Sequence, residues 1–151
     1  MSFFITVQII ASIATTLSVV LAVCQLRKII QQKRYEYIVN LYAIFIGDAE
    51  MVNIFYMIDY NIYRWKPSDS ASAEEKQLDK LLGFFSMVAR LHKISYIRPE
   101  DMDFFRYEIQ SIYCNKEIQK YRQYLVELSE TRHVPMKYND FFDFAAELEL
   151  N

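Results

Sequence analysis

Residues 1–26 carry no charged side chain, and Phe3 to Leu26 is a 24-residue run rich in Ile, Val, Leu and Ala, without Gly or Pro. As a helix rising ~1.5 Å per residue, the run is ~36 Å long. A bilayer's hydrocarbon core is about 30 Å thick, so the run is long enough to cross it with modest tilt. Within lipid a single helix satisfies all its own backbone groups, which makes a helix the expected form. The polar members of the run, Thr6, Gln8, Ser12, Thr15, Thr16, Ser18 and Gln25, are all uncharged. A hydroxyl can bond back to the carbonyl one turn earlier, so Ser and Thr are inexpensive there.

Two other readings of the segment compete with a retained span. A cleaved signal wants a basic start and an apolar core of about 7–15 residues. Met1-Ser2-Phe3-Phe4 has no basic side chain and the run is longer than that. Leu21-Ala22-Val23-Cys24 resembles a lipoprotein cleavage box, but Val23 stands where a small residue belongs. The remaining reading is a helix buried inside a soluble fold.

Arg27, Lys28, Lys33 and Arg34 follow at once, and between Arg27 and Ile46 only Glu36 is acidic. The positive-inside rule then predicts a cytoplasmic carboxyl-terminal domain and a short external amino terminus, an inner-membrane single-pass topology. The same four cations can pair with anionic headgroups, at about 1 kcal/mol each. Within the span, Gln8, Ala11, Thr15, Ser18, Ala22 and Gln25 follow at alternating spacings of three and four. That places small and hydrogen-bonding residues on one stripe, which predicts close packing against another span.

The remainder bounds the chain to one domain beside the anchor. The whole chain is −2 and the basic segment +3, which leaves −5 for residues 47–151. An acidic domain is poorly suited to nucleic acid, whose phosphates need clustered Lys and Arg. Cys24 and Cys114 are too few for a disulfide framework, Cys24 falling at the end of the span and Cys114 in the reducing cytoplasm on the expected topology. Two Gly and three Pro argue for helices with few sharp turns, and twelve Tyr with eleven Phe are expected to fill spaces between them.

The expected division is an anchor over 1–26, a basic helical continuation over 27–46 and a helical domain over 47–151. Ile38, Leu41, Tyr42 and Phe45 form one face before Gly47, predicted as a left-handed helix stop, with Asp48 capping the next helix. That helix reaches about Tyr60 and buries Met51, Ile54, Phe55 and Ile58. Lys66 to Ser70 is a polar surface loop, and Trp65 either packs on the domain or touches the membrane interface. Ser72 and Glu75 form a capping box for a third helix to about Lys93, with Leu78, Leu81, Leu82, Phe85, Val88 and Ala89 inward. Pro99 opens a fourth helix to Cys114, burying Met102, Phe105, Ile109 and Ile112. Asn115 is a cap or a bend, after which Ile118, Tyr121, Leu125 and Leu128 continue the period. Thr131 to Lys137 is a connection, and Asn139 caps a last helix with Phe141, Phe142, Ala145 and Leu148. The predicted fold is all-α: one transmembrane helix running into a small bundle of about five further helices.

Taken together, the anchor with its basic flank, Gly47-Asp48 ahead of Met51, Phe55 and Asp59-Tyr60, Leu78-Asp79 with Leu82, Phe84 and Phe85, and Asn115 ahead of Tyr121 and Leu125 resemble a bacterial family of uncharacterised single-span membrane proteins with a small cytoplasmic all-helical domain. The likeness covers most of the chain and implies a fold and a location, with no activity to carry over. Similar small membrane-anchored proteins occur in bacterial phage-defence operons.

Catalytic chemistry is hard to place on this sequence. His92 and His133 are the only histidines, and neither has a Cys or His within a turn, so no zinc site is expected. Gly47 and Gly83 cannot make a phosphate loop, and no cofactor is implied. Glu74-Glu75 and Glu100-Asp101 fall in first helical turns, where the helix dipole accounts for them. Asp59, Tyr60 and Arg64 form the most site-like polar cluster, with Asp59 expected to bond a tyrosine hydroxyl or cap the loop. The expectation is a non-enzymatic, membrane-anchored interaction or effector protein, with lipid and a second copy or another membrane protein as partners. An accessory subunit of a larger complex, or an enzyme at the membrane surface, are the alternatives.

Overall fold

The computed structural model describes residues 2–67 and 72–149 and is helical throughout its regular parts, with no strand among the described residues. The elements are α1 (Ser2–Gly47), α2 (Ala49–Asp59), α3 (Ala73–Lys93), a 3-10 turn (Pro99–Phe104), α4 (Arg106–Cys114), α5 (Lys116–Arg132) and α6 (Asn139–Glu149). The all-α expectation holds. The chain divides into two compact units, Met1–Tyr37 and Ile38–Asn151.

In the first unit, α1 carries no charged side chain ahead of Arg27 and a basic segment after it. The described large apolar side chains, among them Ile9, Ile13, Leu17, Val20 and Leu26, are exposed. A helix that is apolar all round must be covered by something, protein or lipid. Ser12, Thr16 and Ser18 donate their hydroxyls to the carbonyls of Gln8, Ser12 and Ala14, each at 2.8–2.9 Å. This is the back-bonding that makes such residues tolerable in an apolar run.

The second unit is a bundle in which α3 packs against α2 and α6, and α4 packs against α2, α5 and α6. The end of α1 belongs to it: Ile38, Leu41 and Phe45 are buried. Phe45 is the hub of an aromatic core, its ring 5.5 Å from Phe85, 5.8 Å from Phe55 and 6.0 Å from Phe84. Phe85 passes the contact on to Phe105 at 6.2 Å and Phe141 at 6.3 Å. Short helices with few small residues leave wide gaps, and rings fill them at the tilted and edge-on angles their quadrupoles favour.

Local signals place most of the joints. Asp48 accepts from the backbone N–H groups of Glu50 and Met51, capping α2. Ser72 accepts from Glu75 N–H and starts α3. Asn115 accepts from Glu117 and Ile118, starting α5, while its own amide donates to the Ile58 carbonyl at 2.9 Å. It is therefore a cap and a bend at once. Trp65 packs on the domain, 5.8 Å from Tyr121 and 5.3 Å from Tyr124.

Four expectations need correction. Gly47 is not left-handed: no glycine has positive φ, and Gly47 remains the last residue of α1. The turn is made by Asp48 in extended conformation (φ −94°, ψ 103°), so a left-handed stop is unnecessary. The helix predicted from Pro99 to Cys114 is instead a 3-10 turn followed by α4, broken at Phe105 (φ −115°, ψ −1°). Asp101 accepts from Arg98 N–H there and holds the tighter turn. Thr131 and Arg132 belong to α5, which ends on His133 in the left-handed region (φ 52°). Asn139 is the first residue inside α6 and donates to Asp143, and the preceding carbonyl of Tyr138 accepts from Phe141 and Phe142. Of the surface loop Lys66 to Ser70, residues 68–70 lie outside the described ones.

Candidate functional site

The sequence places three groups of candidate residues, and the structure treats them differently. On α1, Gln8, Thr15, Ser18, Ala22 and Gln25 are exposed, and the side chain of Ala11 lies outside those described. Thr15, Ser18, Ala22 and Gln25 stand three or four residues apart on one helix, with Gln8 seven before Thr15, spacings that recur on a shared side of a helix. Arg27, Lys28 and Lys33 are exposed one to two turns further along, and Arg34 is half-buried. Lys33 pairs with Glu36 at 2.8 Å; that hydrogen bond and the neighbouring charge raise the lysine's pKa. One helix thus carries an apolar length, a polar stripe and a basic end. It is long and apolar enough to cross a membrane.

The polar cluster at the end of α2 does not assemble into one site. Asp59 accepts from the Tyr107 hydroxyl at 2.9 and 3.1 Å, the tyrosine bond anticipated from sequence, with the donor on α4. Tyr60 instead stacks on Tyr56, ring centroids 5.9 Å apart. Arg64 turns back to donate to the carbonyls of Asn61 and Tyr63 at 2.6 and 2.7 Å. Asp59 thus joins α2 to α4, while Tyr60 and Arg64 meet groups of α2 itself and of the turn that follows it. Positive φ at Asn61 (56°) lets the chain turn sharply between them.

The histidines are also structural. His92 Nδ1 lies 3.2 Å from the Ile97 carbonyl and the ring packs 4.9 Å from Phe144. His133 terminates α5. Among the described residues no group of three His, Cys, Asp or Glu side chains is placed to hold a metal ion. A cleft of about 570 Å³ runs between α3 and α6, lined by His92, Lys93, Asp140, Asp143, Phe144 and Glu147. Lys93 and Asp140 bridge it at 3.2 Å.

Two polar centres escaped the sequence reading. Glu108 is buried on α4, 8% exposed, and accepts from the Tyr42 hydroxyl of α1 at 3.3 Å. Burial pushes its carboxyl above the usual glutamate range, against the pull of its hydrogen bonds. Its position between Phe105 and Ile112 was the available signal, since residues three and four apart share a helix face. The second centre is Asp79 on α3, which accepts from Tyr121 at 2.8 Å and Lys137 at 2.6 Å. Burial works to raise its pKa, but bonds from Lys137, Tyr121 and Tyr138 outweigh that and lower it. Burial and the same carboxylate hold both tyrosine hydroxyls far above their ordinary pKa. Each centre ties helices together.

Compared with protein-family models, curated proteins and solved structures, the chain matches none.

Proposed function

We propose that this chain is a single-pass, non-enzymatic membrane protein whose first helix crosses the inner membrane, amino terminus outside, and self-associates there. The carrying observation is the apolar surface of α1 from Phe4 to Leu26, exposed on every side that is described and closed off by Arg27 and Lys28. Leaving that much apolar surface in water is costly, at roughly 25 cal/mol per Å². Lipid covers it without any partner domain. The cations then sit at headgroup level on the cytoplasmic side.

Self-association is supported by the stripe. A primary amide in hydrocarbon costs several kcal/mol without a partner, and Gln8 and Gln25 stand at the two ends of one helix face. A second helix approaching along the small residues between them would supply acceptors for both. The dispersed polar groups of the second unit support a role in contact, with no reaction assigned.

Fractionation tests the reading. The full chain should remain in the membrane pellet after alkaline carbonate washing. A membrane-impermeant maleimide should label Cys114 only after intact spheroplasts are opened. Recovery in the soluble fraction would overturn the span, and labelling of intact spheroplasts would overturn the orientation. Purification in mild detergent should give a defined homo-oligomer; stoichiometric foreign proteins would favour the accessory-subunit alternative.

A further inference from the structure

We propose that the crevice where α5 ends is a binding site for a free medium-chain alkyl carboxylate, with the chain against Leu125 and Leu128 and the carboxylate on Arg132. The crevice lies wholly within the second unit and does not depend on what covers α1.

The cavity follows from how α5 stops. Leu128, Ser129 and Arg132 follow Leu125 by three, four and seven residues, so the four share one helix face. His133 ends the helix in the left-handed region, and the chain beyond it returns Val134 and Pro135 to that face. Between helix and connection remains a cavity of about 210 Å³. Leu125 is 4% exposed and Leu128 half-buried, which makes the inner wall apolar. The polar groups beside it are already engaged. Ser129 donates its hydroxyl to the Val126 carbonyl at 2.7 Å, and Val134 N–H donates to the Ser129 carbonyl at 3.1 Å. A polar group entering there gives up water for nothing, whereas an alkyl chain gains by leaving it.

The charged residues of the lining select the head of the ligand. Both are cations, Arg132 and Lys137, and no acidic side chain lines the cavity. Lys137 is held by Asp79 at 2.6 Å. Arg132 is exposed and has no ion-pair or hydrogen-bond partner among the described residues. Its planar guanidinium matches a carboxylate with two parallel hydrogen bonds. Volume then sets the length of the chain. A water-sized group takes about 30 Å³, so a cavity of about 210 Å³ holds roughly seven of them. That suits the alkyl part of octanoate and falls well short of the acyl chains of a bilayer lipid, which is why the ligand is a free carboxylate.

Photolabelling of the full chain in lipid nanodiscs tests this, with a terminal-diazirine analogue of octanoate as the probe and peptide mapping as the readout. Adducts should fall within residues 125–137 and disappear under excess octanoate. Each methylene removed from the competitor should raise the concentration it needs about fourfold. The uncharged 1-octanol should compete on the order of tenfold less well. Arg132→Gln should lower labelling of the crevice on the order of tenfold, with the helical circular dichroism unchanged. Adducts confined to α1 would overturn the site, since they report only probe dissolved in lipid. Equal competition by octanol, or full labelling of a folded Arg132→Gln variant, would overturn the anionic head group. Insensitivity to the length of the competitor would overturn the apolar crevice. Stronger displacement by a short peptide ending in leucine than by octanoate would overturn the choice of ligand.

Discussion

The Tyr42 hydroxyl donates to the Glu108 carboxylate at 3.3 Å across the contact between α1 and α4, where Glu108 is 8% exposed. A buried carboxylate with so few donors is costly when ionised. Its folded pKa lies above the ordinary value, so the folded state holds the proton more tightly than the unfolded chain does. The contribution to stability is therefore complete in acid and is lost as pH rises through the folded pKa. Glu108→Gln keeps an acceptor for Tyr42 and removes the charge. It should raise the thermal midpoint of the detergent-solubilised chain at pH 7 and leave it unchanged near pH 4, read by circular dichroism.

Asp79 carries the opposite sign. Its pKa is lowered in the fold by Lys137, Tyr121 and Tyr138, which outweigh burial. Its contribution is present above the unfolded carboxylate pKa and fades as pH falls through the folded value. Asp79→Asn should destabilise the bundle at pH 7 and flatten the acid limb of the stability profile. If the variant loses stability in acid as steeply as the parent, Asp79 is not the group responsible.

Asn115 joins two helices through one side chain, capping α5 and holding the last turn of α2. Asn115→Ala should cost about 2 kcal/mol, near the upper end for a lost cap because the Ile58 carbonyl also loses one of its donors. Denaturant titration would show this as a lower midpoint at unchanged slope. Asn115→Asp, which retains the cap but not the amide, should fall between the two.

Gly47 is helical, lacks positive φ, and a Cβ built on it would meet nothing within 4 Å. Gly47→Ala should therefore stabilise the chain by about 0.5–1 kcal/mol, mainly by stiffening the unfolded state. Destabilisation would mean that the joint before Asp48 opens further than this structure shows.

Phe45 meets three phenylalanine rings from α2 and α3 and is 3% exposed. Phe45→Ala should cost about 3–5 kcal/mol, the usual range for a deleted core ring. Loss of the sharp unfolding transition would be the readout. Tyr56→Ala, half-exposed on the neighbouring helix, serves as the mild control.

Most of this fold was legible because its signals are local or periodic. The stripes of α2 and α3 and the caps at Asp48, Ser72 and Asn115 depend on residues within one or two turns, and the structure keeps them. The split at Phe105 was not legible, since Met102, Phe105, Ile109 and Ile112 are spaced as one helix would space them and are all buried. At the break Phe105 packs against Tyr42, Phe84 and Phe85, tertiary contacts that accompany the local bond from Arg98 N–H to Asp101. The polar cluster failed for a related reason. Asp59, Tyr60 and Arg64 are close in sequence, yet their partners are Tyr107, Tyr56 and the Asn61 carbonyl, and only one of those was anticipated in kind. The stripe on α1 is pure spacing, and could be read from the sequence without any contact.

One helix supplies both the stem in the first unit and, through Ile38, Leu41 and Phe45, part of the hydrophobic interior of the second. A protease cutting near Arg27 or Lys28 would release a body that keeps its spine. A cut beyond Phe45 would strip the interior of its central ring and leave a fragment unable to close. Shedding and destruction of this domain are therefore separated by about five turns of backbone.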